Sequence, residues 1–178
     1  MASRGMTIVE LVIVVALLAV LSTLALVAAQ PMANRYHQRD AVELASQLVT
    51  EAQGRARSTG RCHRVVVYAS GALAAAATPG TALALEVRPT ADCETAPASV
   101  TWSLLEQTAL PTGVTAQNID DATWTWTEFR PNGRVRRNGA VGIGALVISA
   151  PDLADHLVMT VNQGVTCLTD LAAPGACP

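Results

Sequence analysis

The sequence predicts an α+β fold: a long N-terminal helix, apolar all round in its first half and one-sided in its second, packed on an antiparallel β-sheet head. Three observations predict it. In residues 11–29 only Ser22 and Thr23 are not apolar. Between Ala41 and Ala56 apolar residues recur at spacings of three and four. Beyond Gly60 the pattern changes to short β-rich runs broken by Gly, Pro, Asn and Asp.

A chain of 178 residues accommodates one modest domain plus an appendage. The hydrophobic fraction is 51% against 15% charged, and much of the excess lies in residues 6–29. All twelve basic residues are Arg, and the formal net charge of −2 gives the whole chain no attraction for nucleic acid or anionic lipid.

As a helix, residues 6–29 extend about 36 Å, enough to cross a hydrocarbon core of about 30 Å. A secretory signal peptide has a shorter apolar stretch of about 7–15 residues, although Ala28-Ala29-Gln30-Pro31-Met32 supplies small residues of the kind found at a cleavage site. A soluble helix this apolar needs a large core around it, which a chain of this size lacks. A plain membrane anchor fits the length but leaves Glu10 unexplained, because a carboxylate costs about 2.5 kcal/mol or more towards the bilayer centre. A cut between Gly5 and Met6 resolves this: it creates an amine at Met6, one helical turn from Glu10, able to pair with the carboxylate of its own or a neighbouring chain.

The stretch Arg4-Gly5-Met6-Thr7-Ile8-Val9-Glu10-Leu11 with the apolar run behind it resembles the class III leader of type IV pilins and type II secretion pseudopilins. The resemblance implies that a prepilin peptidase cuts after Gly5 and methylates the new N-terminus at Met6, which stands where the family usually has Phe. It implies that Glu10 guides assembly into a helical fibre. The corresponding organisation is a leader over residues 1–5, removed; a transmembrane and assembly helix over 6–29; an amphipathic continuation over 30–59; and a β-rich head over 60–178. The precursor would cross the inner membrane once with its head in the periplasm and then enter a pilus or pseudopilus. The implied partners are other major and minor pilin or pseudopilin subunits, the prepilin peptidase and the inner-membrane assembly platform. Retention of Glu10 argues against the specialised tip subunit that lacks it, and for a position in or just under the tip complex.

Pro31 removes a helical amide donor and should bend the helix where it leaves the apolar segment. From Asn34 onward, Ala41, Ala45, Leu48, Val49, Ala52 and Ala56 form one apolar face that should pack on the sheet. Arg39 with Glu43 and Glu51 with Arg55 stand at i and i+4, pairs that contribute about 0.2–0.5 kcal/mol each on an exposed surface. Ser58, Thr59 and Gly60 end the helix.

Strands are expected at 64–68, 82–87, 100–104, 123–127, 145–148 and 157–161. The string Phe129-Arg130-Pro131-Asn132-Gly133-Arg134, the strand through Ile148 and the closing segment 161–165 resemble the head of the minor pilin and pseudopilin group that includes the H-type pseudopilin (GspH) and its FimU and FimT relatives. Pro-Asn-Gly before a strand is also simply a good tight turn.

Cys62, Cys93, Cys167 and Cys177 all follow the membrane segment, an even number on the part that would be exported, so disulfides are expected. Of the three connectivities, Cys62–Cys93 with Cys167–Cys177 is favoured. A hairpin of the strands around Val66 and Leu85 brings Cys62 opposite the end of the second strand, and the other bridge would fasten the C-terminal tail. His37, His63 and His156 have no metal-binding spacing, no G-x-S-x-G elbow places a catalytic serine, and neither an enzyme nor a cofactor is expected. Trp102, Trp124 and Trp126 could form an aromatic surface, but Trp124 and Trp126 share a strand face and are better read as core or inter-subunit packing.

From Gly60 to Pro178 seven Arg face ten acids, a balance of −3 that should repel DNA. Glu128 to Gly139 differs, with Arg130, Arg134, Arg136 and Arg137 against one acid. In a strand Arg134 and Arg136 would share a face and, with Arg137, could meet successive phosphates, an activity suggested by the FimT resemblance. The plainer alternative, a solvated hairpin with protective edge charges, is preferred because no aromatic series for stacking adjoins the segment.

Overall fold

A computed structural model describes residues 7–74, 78–94, 100–118, 126–137, 140–141, 144–151, 153–154, 156–160 and 166–170. Helix α1 runs Ile8–Thr59 without interruption at Pro31. The chain divides at Ala33/Asn34 into two compact units. In the first, residues 8–33 are all exposed and the most apolar 18-residue window has a mean hydropathy of 3.0, so by length and composition this helix can cross a membrane.

The second unit contains the rest of α1 and two antiparallel sheets. The strands are β1 (His63–Ala69), β2 (Ala72–Leu73), β3 (Ala82–Val87), β4 (Ser103–Ala109), β5 (Thr115–Asn118), β6 (Trp126–Phe129), β7 (Val135–Arg137), β8 (Ala140–Val141), β9 (Gly144–Ser149), β10 (His156–Thr160) and β11 (Thr166–Asp170). The larger sheet has the order β4-β3-β1-β6-β7-β8, with β2 folded back on β1 through Ser70 and Gly71, both at positive φ. The smaller sheet has the order β11-β10-β9-β5.

The apolar face expected on the helix is buried in full: Ala41, Ala45, Leu48, Val49, Ala52 and Ala56, joined by Val42. Four alanines in that stripe let the helix approach the sheet closely. Against it lie Val65 and Val67 of β1, Leu83 and Leu85 of β3, Phe129 of β6, Val135 of β7, Ala116 of β5 and Ile148 of β9, one core shared by both sheets. Each fully buried Val, Leu or Phe contributes about 1.5–3 kcal/mol relative to exposure. Polar side chains pin the start of this segment. Buried Gln38 donates from Nε2 to Ile148 O (3.2 Å) and Ala154 O (2.6 Å), and Asn34 Nδ2 donates to Pro151 O at 3.3 Å.

Several expectations shift. The strand placed at 100–104 begins at Ser103 and runs to Ala109, leaving Trp102 outside it. Its register on β3 slips between Leu85 and Glu86, with Leu105 as the extra residue of a bulge. The strand placed at 123–127 is described from Trp126 and continues to Phe129. Glu51 and Arg55 do form their ion pair, both partly exposed, whereas Glu43 accepts a hydrogen bond from Gln47 at 3.4 Å rather than one from Arg39.

Two glycines illustrate opposite constraints. Gly80 exchanges both backbone hydrogen bonds with Ala116 (2.8 and 2.9 Å) and lies so close to β1 that a Cβ would collide with the Tyr68 carbonyl and Val67 Cγ1. Gly54 lies exposed inside the helix, where a Cβ meets nothing within 4 Å. We expect Gly80→Ala to destabilise the head by about 1–3 kcal/mol and Gly54→Ala to stabilise it by about 0.5–1 kcal/mol. Denaturant midpoints measured side by side check the opposite signs.

Candidate functional site

At the start of α1, Gly5 and Met6 lie outside the described residues. Thr7 and Glu10 form a reciprocal cap. Thr7 N donates to Glu10 Oε2 at 2.9 Å, Thr7 Oγ1 donates to the same oxygen at 3.1 Å, and Glu10 N lies 3.3 Å from Thr7 Oγ1. The four-residue pattern Thr-x-x-Glu is a capping box, a signal present in the sequence that a pairing of Glu10 with a Met6 amine had overshadowed. The carboxylate thus lies where orphan amides and the helix dipole favour negative charge. Glu10 is also the only charged residue between Ile8 and Ala33.

In the head, charge concentrates on the sheet face turned away from α1. Strand alternation sends Val65 and Val67 to the helix and Arg64, Val66 and Tyr68 to the other side. The register then sets Arg64 between Glu86 of β3 and Glu128 of β6. Arg64 Nε pairs with Glu86 Oε2, Tyr68 Oη donates to Glu86 Oε1 at 2.6 Å, and Arg88 Nη2 pairs with Glu128 Oε2 at 3.1 Å, with Arg88 and Glu128 both fully buried. The Trp102 ring covers two of these cations, 4.2 Å from the Arg64 guanidinium and 5.2 Å from that of Arg88. Burial pulls the Arg64 pKa below its usual value against the opposing pull of Glu86. Trp102 is therefore committed to packing on arginines.

Cys62 and Cys93 form the expected disulfide, with Cα atoms 5.8 Å apart. Cys167 lies on β11, and Cys177 falls outside the described residues, as does Trp124. Trp126 and His156 lie on β6 and β10. His37 Nδ1 is 3.3 Å from Thr112 O, and buried His63 Nδ1 is 3.1 Å from Arg61 O. Burial lowers the His63 pKa against that hydrogen bond, with the charges of Arg55 and Arg61 adding to the lowering.

The arginine segment divides. Arg130 is drawn inside, its Nη1 pairing with Glu94 Oε1 at 3.0 Å and its Nη2 donating to Cys93 O at 2.9 Å. Arg134 is exposed at the turn, whose Gly133 takes φ +80°. It precedes β7, so the strand expected to carry Arg134 and Arg136 on one face begins one residue later. Arg136 and Arg137 lie on β7, Arg136 opposite Glu128. Arg57 from α1 reaches this turn: a Cβ at Gly133 would stand 3.3 Å from its Nη2. Among the described residues no group of His, Cys, Asp and Glu could hold a metal.

Tyr68 offers a direct readout of the buried face. Burial, and then the hydrogen bond to Glu86, raise its pKa from 10 to about 12. Because the folded state holds this proton more tightly, its contribution to stability is full below pH 10 and is lost as pH rises towards 12. No lysine titrates in that window. An ultraviolet titration should show Tyr68 ionising near pH 12, and Tyr68→Phe should abolish that step and flatten the alkaline loss of stability.

No protein-family model matches the sequence, and no curated protein matches it. Solved structures do. The type IV minor pilin FimU of Pseudomonas aeruginosa (strain PAO1) superposes in two crystal forms. One gives a TM-score of 0.50 at 16% identity, covering 74% of this chain and 91% of that chain; the other gives 0.52 at 14% identity, covering 78% and 92%. A long N-terminal helix laid on an antiparallel sheet head is thus the pilin fold, shared here with a type IV minor pilin.

Proposed function

We propose that the chain is a minor pilin or pseudopilin, a structural subunit assembled into or near the tip of a type IV pilus or type II secretion pseudopilus. The observation that carries the reading is the combination in one helix of a lone capped acid at the head of an exposed apolar run and, further along, an alanine-lined face buried under a sheet. Such a helix has two uses for its side chains: lipid or neighbouring helices around the first half, its own head around the second. Prepilin peptidase would cut between Gly5 and Met6 and methylate Met6. The new amine then lies next to the Thr7–Glu10 cap, where it neutralises the carboxylate of its own or a neighbouring chain. Residues 1–5, 6–29, 30–59 and 60–178 act in this reading as leader, assembly helix, amphipathic continuation and periplasmic head. Other subunits, the peptidase and the inner-membrane assembly platform are its partners, and it performs no catalysis.

Glu10→Ala should leave cleavage and insertion intact while lowering recovery of the subunit in sheared fibres. A bulky residue at Gly5 should leave unprocessed precursor in the inner membrane. N-terminal sequencing checks cleavage in both variants, and the amount of subunit in the sheared fraction checks assembly. An intact Met1 in cells with an active prepilin peptidase would favour a plain membrane-anchored module.

One observation favours such a module binding DNA: Arg57 and the exposed Arg134 meet at one turn that leads into Arg136 and Arg137. Replacing Arg134, Arg136 and Arg137 with Gln should weaken sequence-independent binding and flatten its salt dependence. Equal binding by the triple variant in a mobility-shift assay removes this reading.

A further inference from the structure

Arg88, one partner of the buried Arg88–Glu128 ion pair on the far face of the larger sheet, begins a short segment, Arg88–Glu94, that follows β3. Its first residue is tied to Cys62 through the backbone, and two further bonds fold the segment on itself. Arg88 N donates to Cys62 O at 2.9 Å, Arg88 Nη1 donates to Asp92 O at 2.9 Å, and Glu94 N donates to Asp92 Oδ1 at 2.8 Å. Arg130 holds Cys93 O and Glu94 Oε1, and the Cys62–Cys93 bridge supplies the covalent tie to the start of β1. None of Cys62, Arg88, Cys93, Trp102 or Glu128 belongs to the core cluster that joins α1 to the two sheets.

We propose that Cys62–Cys93 is a redox latch. With the bridge formed, Arg88–Glu94 is clamped to the sheet and the Arg88–Glu128 pair stays sealed. With the bridge reduced, the segment lifts and this pair hydrates, while the core between α1 and the sheets stays folded. The physical reason is an imbalance between the two faces. The helix side is held by apolar burial, which opening to water can only weaken. The far side is held by ion pairs whose mutual attraction is largely offset by the hydration they give up, so water competes well for them once the cover is loose. Arg130 also holds the far end of the segment, through Cys93 O and through Glu94, whose carboxylate is 83% exposed so that water competes directly for that pair.

Reduction follows from the same geometry. Cys62 is fully buried while Cys93 is half-buried, so an incoming thiolate meets the Cys93 sulfur. It forms a mixed disulfide there and expels Cys62 as a thiolate, which takes up a proton. The reagent's second thiol then displaces Cys93 and leaves as a cyclic disulfide, so two electrons and two protons pass from the dithiol to the protein.

The test is amide hydrogen exchange on the full chain in detergent micelles. In Cys62→Ser/Cys93→Ser, protection of the amides within 88–94, above all that of Arg88 bonded to Cys62 O, should fall about 30- to 900-fold, the factor a typical bridge supplies, while residues 41–56 of α1 keep theirs. Dithiothreitol should produce the same pattern in the unmodified chain, and reoxidation with a small-molecule disulfide should reverse it. Unchanged protection at 88–94, or loss of protection at 41–56 as well, overturns the latch. So does Glu94→Gln if it frees the segment as fully as reduction does while the bridge is intact.

Discussion

Everything else in the molecule is arranged around a single constraint: α1 must be apolar on all sides before Pro31 and on only one side after Asn34. A helix with no polar face has no place to rest in water, and a helix with a narrow stripe has one seat only. The stripe from Ala41 to Ala56 takes that seat, and its alanines let the axis lie close to β1 and β3. Gln38 then decides where on the second sheet the helix sits, because its buried amide must meet the carbonyls of Ile148 and Ala154.

The far face of the larger sheet follows a different logic. With one face already filled by the helix, alternation leaves Arg64, Tyr68, Glu86 and Glu128 pointing the other way, as on any sheet with a wet side. Here that side is covered. Trp102 stacks over Arg64 and Arg88, and each enclosed charge has an opposite charge across a strand or at a strand end. Buried pairs of this kind add little net stability but penalise any register that separates them. A slip of one residue in β1 would strand Arg64 against apolar neighbours.

Several features were legible because they depend on neighbours in sequence. The apolar run, the alanine stripe, the break at Gly60 and the strands at 64–68, 82–87 and 145–148 all follow from local periodicity. The Cys62–Cys93 bridge was legible one step further, once two adjacent strands were read as a hairpin. The Thr7–Glu10 box was equally local and was missed only because Glu10 already had a proposed partner. Arg130 was not legible: among four arginines within eight positions nothing local distinguishes the one that turns inward to Glu94, a residue 36 positions away.

The sequence by itself therefore determined the class of structure: where the chain is apolar on all sides, where it becomes one-sided, and where it changes from a period of 3.6 to a period of two. These are properties of consecutive side chains and need no knowledge of what they touch. Only the tertiary structure decided which charges are withdrawn from water, that β4 begins at Ser103 with a bulge at Leu105, and that Gly80 has no room for a side chain. Those outcomes depend on which distant strand lies alongside, and in a packed interior that is settled by the whole set of neighbours at once.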